Sequence, residues 1–313
     1  MKLSLIIPCY NEEGNVQPMY EKVVSTFSGK IDSYEFVFVN DGSADATAAK
    51  LKEIYQTAEQ PVKVINFSRN FGKEAAIYAG LQHVSGDYIS IIDADLQQDP
   101  AYVLQMVDFL EENEDYDSVA AFQEERKESA FMVKTKNAFY KIINKISDTE
   151  FVSGASDFRT FRSRVKDAIL QMSEYHRFSK GIFSWVGFQT YYMPYNVDDR
   201  LSGTSKWSFW KLMKYAIEGI VAFTTVPLKL STWIGSVTSL AALIYIIIVI
   251  IQKLACGIDV PGYATIVVLI LFLGGMQLLA LGIIGEYLSR TYIQSKHRPI
   301  YLAREVLDNQ KKQ

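Results

Sequence analysis

The chain has 313 residues, 49% of them hydrophobic and 21% charged, with a formal net charge of −3. That length suits one sizeable domain plus an appendage, and the charge balance leaves no basic footprint for a nucleic-acid partner. Its two cysteines, Cys9 and Cys256, lie in unlike surroundings; they support no disulfide framework and fit a reducing compartment.

The first predicted strand is "LSLIIPCY" at residues 3–10. Its apolar run is short, contains Pro8 and leads into Glu12 and Glu13, so it reads as a strand of the mature protein and not as a secretion leader. "VQPMYEKVVSTFS" follows, with Val16, Met19, Tyr20, Val23, Val24 and Phe27 at helical spacing. "YEFVFVN" (34–40) is a second strand, and a helix starts near Ala44. "VKVINF" (62–67), "FGKEAAIYAGLQHV" (71–84) and "DYISIID" (87–93) read as strand, helix and strand. This alternation predicts an α/β fold, a mostly parallel sheet with helices on both faces.

Further along, "WSFWKLMKYAIEGIVAF" (207–223) sets Lys211, Lys214 and Glu218 on one helical face, as in a helix lying at a membrane surface. An amphipathic helix packed on the soluble domain reads the same way. Residues 230–251 then run 22 positions without a charge, and residues 260–285 run 26 more. At about 1.5 Å per residue, either crosses a hydrocarbon core of roughly 30 Å. Lys206, Lys211, Lys214 and Lys229 precede the first span, and Arg290, Lys296, Arg298 and Arg304 follow the second. The positive-inside rule therefore puts the N-terminal domain and the tail in the cytoplasm, as a multi-pass protein of the cell membrane. Pro261-Gly262 suits the turn between spans. The expected domains are 1–206, a surface segment 207–229, the two spans within 230–286, and a tail 287–313.

Ligands of such sheets sit outside the carboxyl ends of the strands, and three polar clusters fall there: "PCYNEEGN", "VNDGSADAT" and "DADLQQD". Ser43 or Asp45 reads as a helix cap. Capping does not account for Asp93 and Asp95, an acidic pair closing an apolar strand. Like charges so close raise each other's pKa unless a cation intervenes. Asp95 and the Gln97 amide are hard oxygen donors that suit Mg²⁺ or Mn²⁺. His83, His176 and His297 are scattered and offer no zinc set. Mg²⁺ commonly completes its shell with substrate phosphates, which points to a diphosphate ligand. Neither the dinucleotide G-x-G-x-x-G nor the P-loop G-x-x-x-x-G-K-[ST] is present.

"LSLIIPCYNEEGNV", "FVNDGSADAT", "NFSRNFGKEAAIYAGL" and "SGDYISIIDADLQ" together resemble the family-2 glycosyltransferases of GT-A fold. "ASDFRTFRSRV", "EYHRFSKGIFSWVGF" and "RLSGTSKWSFWKL" resemble, more narrowly, the polyprenyl-phosphate glycosyltransferases. These are of the dolichyl-phosphate mannose synthase type, and especially the bactoprenol glucosyltransferases with two C-terminal spans. The resemblance implies inverting, metal-dependent transfer from a nucleotide sugar to undecaprenyl phosphate, for cell-envelope glycan modification. UDP-glucose is the first expected donor and UDP-N-acetylglucosamine the second. Homo-oligomers through the spans fit this architecture.

By position, the resemblance places Pro8, Tyr10, Asn11, Glu12, Asp41 and Ser43 at the nucleotide sugar. Lys73 and Asp93 fall near base and ribose, and Asp95 and Gln97 at the metal. Glu12 reads equally as a charge favoured by a helix dipole, and Lys73 as a solvated first-turn lysine. The nominated catalytic residues are Asp95 and Asp157. For Asp157 the roles of general base, of positioning Arg159, of reaching the metal's outer shell and of merely fixing the loop stay open. Arg126, Arg200, Ser205 and Lys206 would hold the acceptor phosphate, Gly203 allowing close backbone approach. Gln123 departs from a second arginine found in relatives, with Lys134 or Lys136 as substitutes. Three rivals remain: a processive polysaccharide synthase, a non-catalytic membrane scaffold, and a soluble-sugar transferase with an incidental anchor. "EYHRFSKG" in place of Q-x-x-R-W, and only two spans, weigh against the first.

Overall fold

The computed structural model describes residues 1–122, 141, 143–145, 147, 152, 154–195, 221–256 and 262–312. The chain divides into two compact units, Met1–Tyr215 with Pro299–Gln313, and Ala216–Arg298.

The strands of the first unit are β1 (Leu3–Cys9), β2 (Tyr34–Asn40), β3 (Val62–Phe67), β4 (Tyr88–Ile91), β5 (Ser118–Phe122), β6 (Ala155–Arg162), β7 (Thr190–Pro194) and β8 (Ala303–Asp308). They form one sheet in the order β7-β5-β6-β4-β1-β2-β3-β8. The four strands read from the sequence make its parallel centre, β4-β1-β2-β3. Outside them the sheet is mixed, with β6 antiparallel to both β4 and β5, and β8 antiparallel to β3. Every residue of β2 is buried, as expected of a strand covered on both faces.

The helices of this unit are α1 (Val16–Phe27), α2 (Thr47–Thr57), α3 (Lys73–His83), α4 (Ala101–Glu112), α5 (Ser163–Gln171) and α6 (Ser179–Trp185). Leu3, Leu5 and Ile7 of β1 share one core with Val16, Met19 and Val23 of α1, Leu51 and Ile54 of α2, and Met106 and Leu110 of α4. α3 packs against β1 and β2 so closely that a Cβ on Gly80 would stand 2.3 Å from Ile6 Cγ2. A glycine is required there for the helix to sit down on the sheet. Residues 303–308, read from the sequence as tail, are the edge strand β8; Tyr301 stacks on Phe67 and its hydroxyl donates to Gln82.

The second unit contains α7 (Val226–Cys256) and α8 (Tyr263–Ser295). Both are long and apolar enough to cross a membrane: Val226–Gln252 and Val268–Ser295 contain 18-residue windows of mean hydropathy 2.6 and 2.3. Ile247, Ile251, Leu271 and Leu278 are among many exposed aliphatic side chains. The hydroxyls of Thr232, Ser236 and Thr238 donate to backbone carbonyls four residues back, leaving no hydroxyl of these three to be solvated by water. The described part of 207–229 comprises only 221–229, so the surface helix and the Pro261 turn lie outside the described residues.

Opposite the carboxyl ends of the parallel strands, Glu35 is fully buried. It accepts bonds from Ser4 Oγ at 2.6 Å and Ser85 N at 2.7 Å, and pairs with Lys63 at 3.0 Å and Lys2 at 3.3 Å. Burial would raise its pKa, but the bonds from Ser4, Ser85 and Lys63 outweigh that and bring it down to about 2. A depressed carboxyl stabilises the fold above its unfolded pKa, and that contribution fades as pH falls toward 2. Glu35→Gln should therefore lower the apparent Tm strongly at pH 7, by an equivalent of about 2–3 kcal/mol. Thermal unfolding repeated at pH 3 should show a much smaller gap between variant and wild type.

Candidate active site

β1, β2 and β4 end together because they are parallel and adjacent, with Cys9 opposite Asn40 and Ile6 opposite Ile91. The loops that follow are stitched by side chains. Asn11 N donates to Ser43 Oγ at 2.9 Å, and Ala44 N returns a 2.9 Å bond to Asn11 Oδ1. Glu12 N donates to Thr47 Oγ1, and Glu13 is bonded to both Asp45 and Ala46. Asn11 itself sits at φ 56, a left-handed conformation asparagine tolerates. Neither cap candidate stands at the N-cap of α2, which is Ala46; Asp45, one residue earlier, accepts from Thr47 N at 3.1 Å, and Ser43 serves the neighbouring loop. α2 accordingly starts at Thr47 and not near Ala44. Tyr10 is left 48% exposed at this edge, a ring face open to a planar ligand. Pro8 lies within β1 opposite Val39, and Glu12 accepts a 2.6 Å bond from Asn15 Nδ2.

Asp41, just past β2, is only 3% exposed. Its carboxylate accepts from Phe71 N at 2.6 Å, Gly72 N at 2.9 Å and Asn70 Nδ2 at 2.9 Å. Burial raises its pKa, against the lowering effect of those backbone bonds. The approach is tight enough that a Cβ on Gly42, at φ 63, would lie 2.3 Å from the Arg69 carbonyl carbon. Asp41 thus fixes where α3 begins; Gly72, at φ 98, makes the turn into it.

The acidic stretch after β4 alternates. Ile92, Ala94, Leu96, Gln98 and Pro100 are buried, whereas Asp93, Asp95, Gln97 and Asp99 are partly open. Leu96 holds φ 62, a conformation that costs a non-glycine residue of order 1–3 kcal/mol, offset by burial of its side chain in the core. This kink carries Asp95 and Gln97 outward, with Gln97 N donating to Asp95 Oδ1 at 3.2 Å. Gln98 folds back on Asp93, accepting from its N–H at 2.8 Å and donating to Oδ2 at 3.2 Å. Asp99 belongs elsewhere: it accepts from Ala101 N at the start of α4 and pairs with Lys22 at 3.1 Å.

β6 brings in the remaining acid. It runs antiparallel to β4 as far as Ile91 opposite Arg159, and Asp93 and Asp157 lie just beyond that last pair. Lys73 Nζ lies between them, 2.6 Å from Asp93 Oδ1 and 3.4 Å from Asp157 Oδ2. Burial works against the ammonium, but the two carboxylates prevail and hold the Lys73 pKa above that of a free lysine. Burial would likewise raise Asp157; Lys73, Lys180 and Arg159 outweigh it and keep it below the usual carboxylate range. Asp157 Oδ1 is buried with no hydrogen-bond partner. Arg159 is buried over the Phe183 ring, 4.0 Å from its centre, and donates to Ser156 O at 3.0 Å.

The sequence reading passed over Glu74, Gln98 and Ser179. Glu74 accepts from both the N–H and the hydroxyl of Ser179. Its signal was present: Lys73 and Glu74 are a charged pair opening a helix whose next seven residues are all buried. Arg126, Arg200, Ser205 and Lys206, with Gln123, Lys134 and Lys136, lie outside the described residues. Among the described residues no three His, Cys, Asp or Glu side chains gather as a metal cage. A hard cation that draws most of its ligands from phosphate and water fits that donor set.

Residues 4–170 match Glycosyl transferase family 2, and residues 226–291 match the GtrB C-terminal hairpin. An uncharacterized glycosyltransferase of Synechocystis sp. is 40% identical over 98% of this chain and 96% of its own length. The prophage bactoprenol glucosyl transferase homolog of Escherichia coli is 40% identical, covering 98% of this chain and 99% of that one. The bactoprenol glucosyl transferase of Shigella phage SfV is 40% identical over 96% and 98% respectively.

Lys73→Met removes the cation shared by Asp93 and Asp157, so the Asp157 pKa must rise. The acid limb of the pH–turnover profile should move to higher pH, and turnover at neutral pH should fall at least about 10-fold.

Proposed function

The chain belongs to the family-2 glycosyltransferases, with a GtrB-type hairpin at its C-terminal side, and on that premise we propose that it moves a hexose from a nucleotide sugar to undecaprenyl phosphate. UDP-glucose is the favoured donor and UDP-N-acetylglucosamine the second. The observation that carries this reading is the Lys73-centred cluster of Asp93 and Asp157 next to Asp95, at the strand ends of a chain that also bears two membrane-length helices.

Each part has a chemical use. Tyr10 offers a ring on which a nucleobase stacks, and the stitched 10–13 and 41–47 loops form the wall beside it. Asp95 and Gln97 would hold Mg²⁺ or Mn²⁺, which when bound neutralises charge on the departing diphosphate. Lys73, in contact with Asp93 and Asp157, helps to keep Asp157 ionised. Asp157, depressed by its cationic neighbours, is a weak proton acceptor. None stronger is needed, because a phosphate monoester with a second pKa of about 6 is mostly dianionic at neutral pH. Asp157 therefore acts by orienting Lys73 and by its negative charge beside the forming oxocarbenium-like sugar carbon.

A polyprenyl chain stays in the bilayer and offers only its phosphate at the surface. The apolar hairpin would meet that demand by holding the enzyme at the membrane, and the basic residues flanking both spans favour a cytoplasmic catalytic domain and cytoplasmic termini.

The test is transfer by purified full-length protein with undecaprenyl phosphate, Mg²⁺ or Mn²⁺, and a panel of radiolabelled nucleotide sugars. Butanol-extractable label should appear with one donor and vanish with EDTA, and Asp95→Asn should cut turnover by roughly 100-fold or more. Label passing to water-soluble acceptors without lipid phosphate, or full activity in EDTA, would contradict the proposal.

A further inference from the structure

We propose that Glu74 is a positioning residue that sets the 172–180 segment, and through it Lys180, against Asp157, so that the acceptor side of the site is built from the same helical turn as the donor side. The inference deepens the reading above and rests on it for the identity of the acceptor.

The geometry begins with two consecutive side chains. Lys73 and Glu74 open α3 and project about 100° apart around its axis. Lys73 reaches Asp93 and Asp157; Glu74 reaches Ser179, accepting its N–H at 2.9 Å and its hydroxyl. α6 is otherwise held on β6 by Phe183, which meets Phe161 edge-on at 5.1 Å and lies under the Arg159 guanidinium. Ser179 and Ile182 are buried there as well. α6 thus has an apolar attachment at one end and Glu74 at the other.

Lys180 follows Ser179 directly, and its charge is one of those that hold Asp157 ionised. In the sheet order, the donor loops belong to β1, β2 and β4, while α6 packs on β6, the strand that carries Asp157. The 172–180 segment carries Lys180 and also Arg177, whose guanidinium lies 4.4 Å from the Tyr78 ring centre and donates to Met172 O. Those cations suit a phosphate monoester. Glu74 itself sits in a setting that raises its pKa, first by burial and then by the charge of Asp157.

Full-length wild type, Glu74→Ala, Glu74→Gln and Ser179→Ala are to be compared in detergent, with UDP-glucose and undecaprenyl phosphate as probes. Hydrogen exchange of peptides covering 172–183 provides a readout independent of activity. Glu74→Ala should raise the KM for the lipid phosphate roughly 10-fold, as expected for losing hydrogen bonds to a charged acceptor. The donor KM should stay within about twofold. Glu74→Gln, whose amide oxygen still accepts from Ser179, should recover most of the loss, and Ser179→Ala should fall between. Because the Phe183 attachment is untouched, α6 should remain folded while the Ser179 amide exchanges faster in Glu74→Ala. Equal rises in both KM values, a Gln variant as impaired as Ala, or unchanged exchange at Ser179 would overturn the proposal. If the wild type moves no sugar to any polyprenyl phosphate, the acceptor assignment fails, and exchange at Ser179 alone decides the role of Glu74.

Discussion

One ammonium group organises the site. Lys73 stands between Asp93 and Asp157, two acids that lie just beyond the last pair of the β4–β6 ladder. Without a cation there, two like charges at the tip of a buried strand would neutralise each other by taking up a proton. The lysine is where it is because α3 begins where it does. That start is set by Asp41, which binds the last two amide N–H groups before the helix, and by Gly72, whose φ of 98 turns the chain into it. A carboxylate at the end of one strand thus locates the cation that pairs the carboxylates of two others.

The same economy runs through the surrounding loops. Asn11, Ser43, Ala44 and Thr47 bond across two strand ends, which ties the loops after β1 and β2 into one wall. Leu96 accepts an unfavourable backbone angle to bury its side chain, and by doing so presents Asp95 outward. At the far end of the sheet Glu35 closes the opposite edge with two lysines and two serines. One end of the sheet buries its carboxylate among lysines and serines; the other gathers Asp93 and Asp157 around Lys73.

Much of this was legible in the residues. β1 to β4 are short apolar runs between turn signals, and their periodicity has no competing reading. The apolar hairpin needed only length and the absence of charge. β5 to β7 were not legible, since "SVAAF" and "TYYMP" are short and owe their places to pairing, β5 with β6 and β7 with β5. β8 was hidden because Arg304, Glu305 and Asp308 give it the composition of a solvated tail; charges of this kind are what an edge strand carries to discourage further pairing. Asp93 and Asp95 could be picked out by their position at a strand end, but nothing local separates Asp99, which turned out to start α4. Asp157 came from family resemblance alone, because its meeting with Asp93 depends on a register between strands some 70 residues apart. Glu74 was missed for a related reason: its partner, Ser179, is distant in sequence and close only after α6 has packed.

The most direct measurement is an experimental structure of the full-length protein with Mn²⁺ and UDP-glucose, using the anomalous signal of manganese to locate the ion. The ion should lie about 2.1 Å from an Asp95 carboxylate oxygen, bridging it to the diphosphate, with Lys73 still between Asp93 and Asp157. A diphosphate seated away from Asp95 with no ion between them, or a Lys73 swung out of the acid pair, would contradict the assignment of this cluster as the catalytic centre.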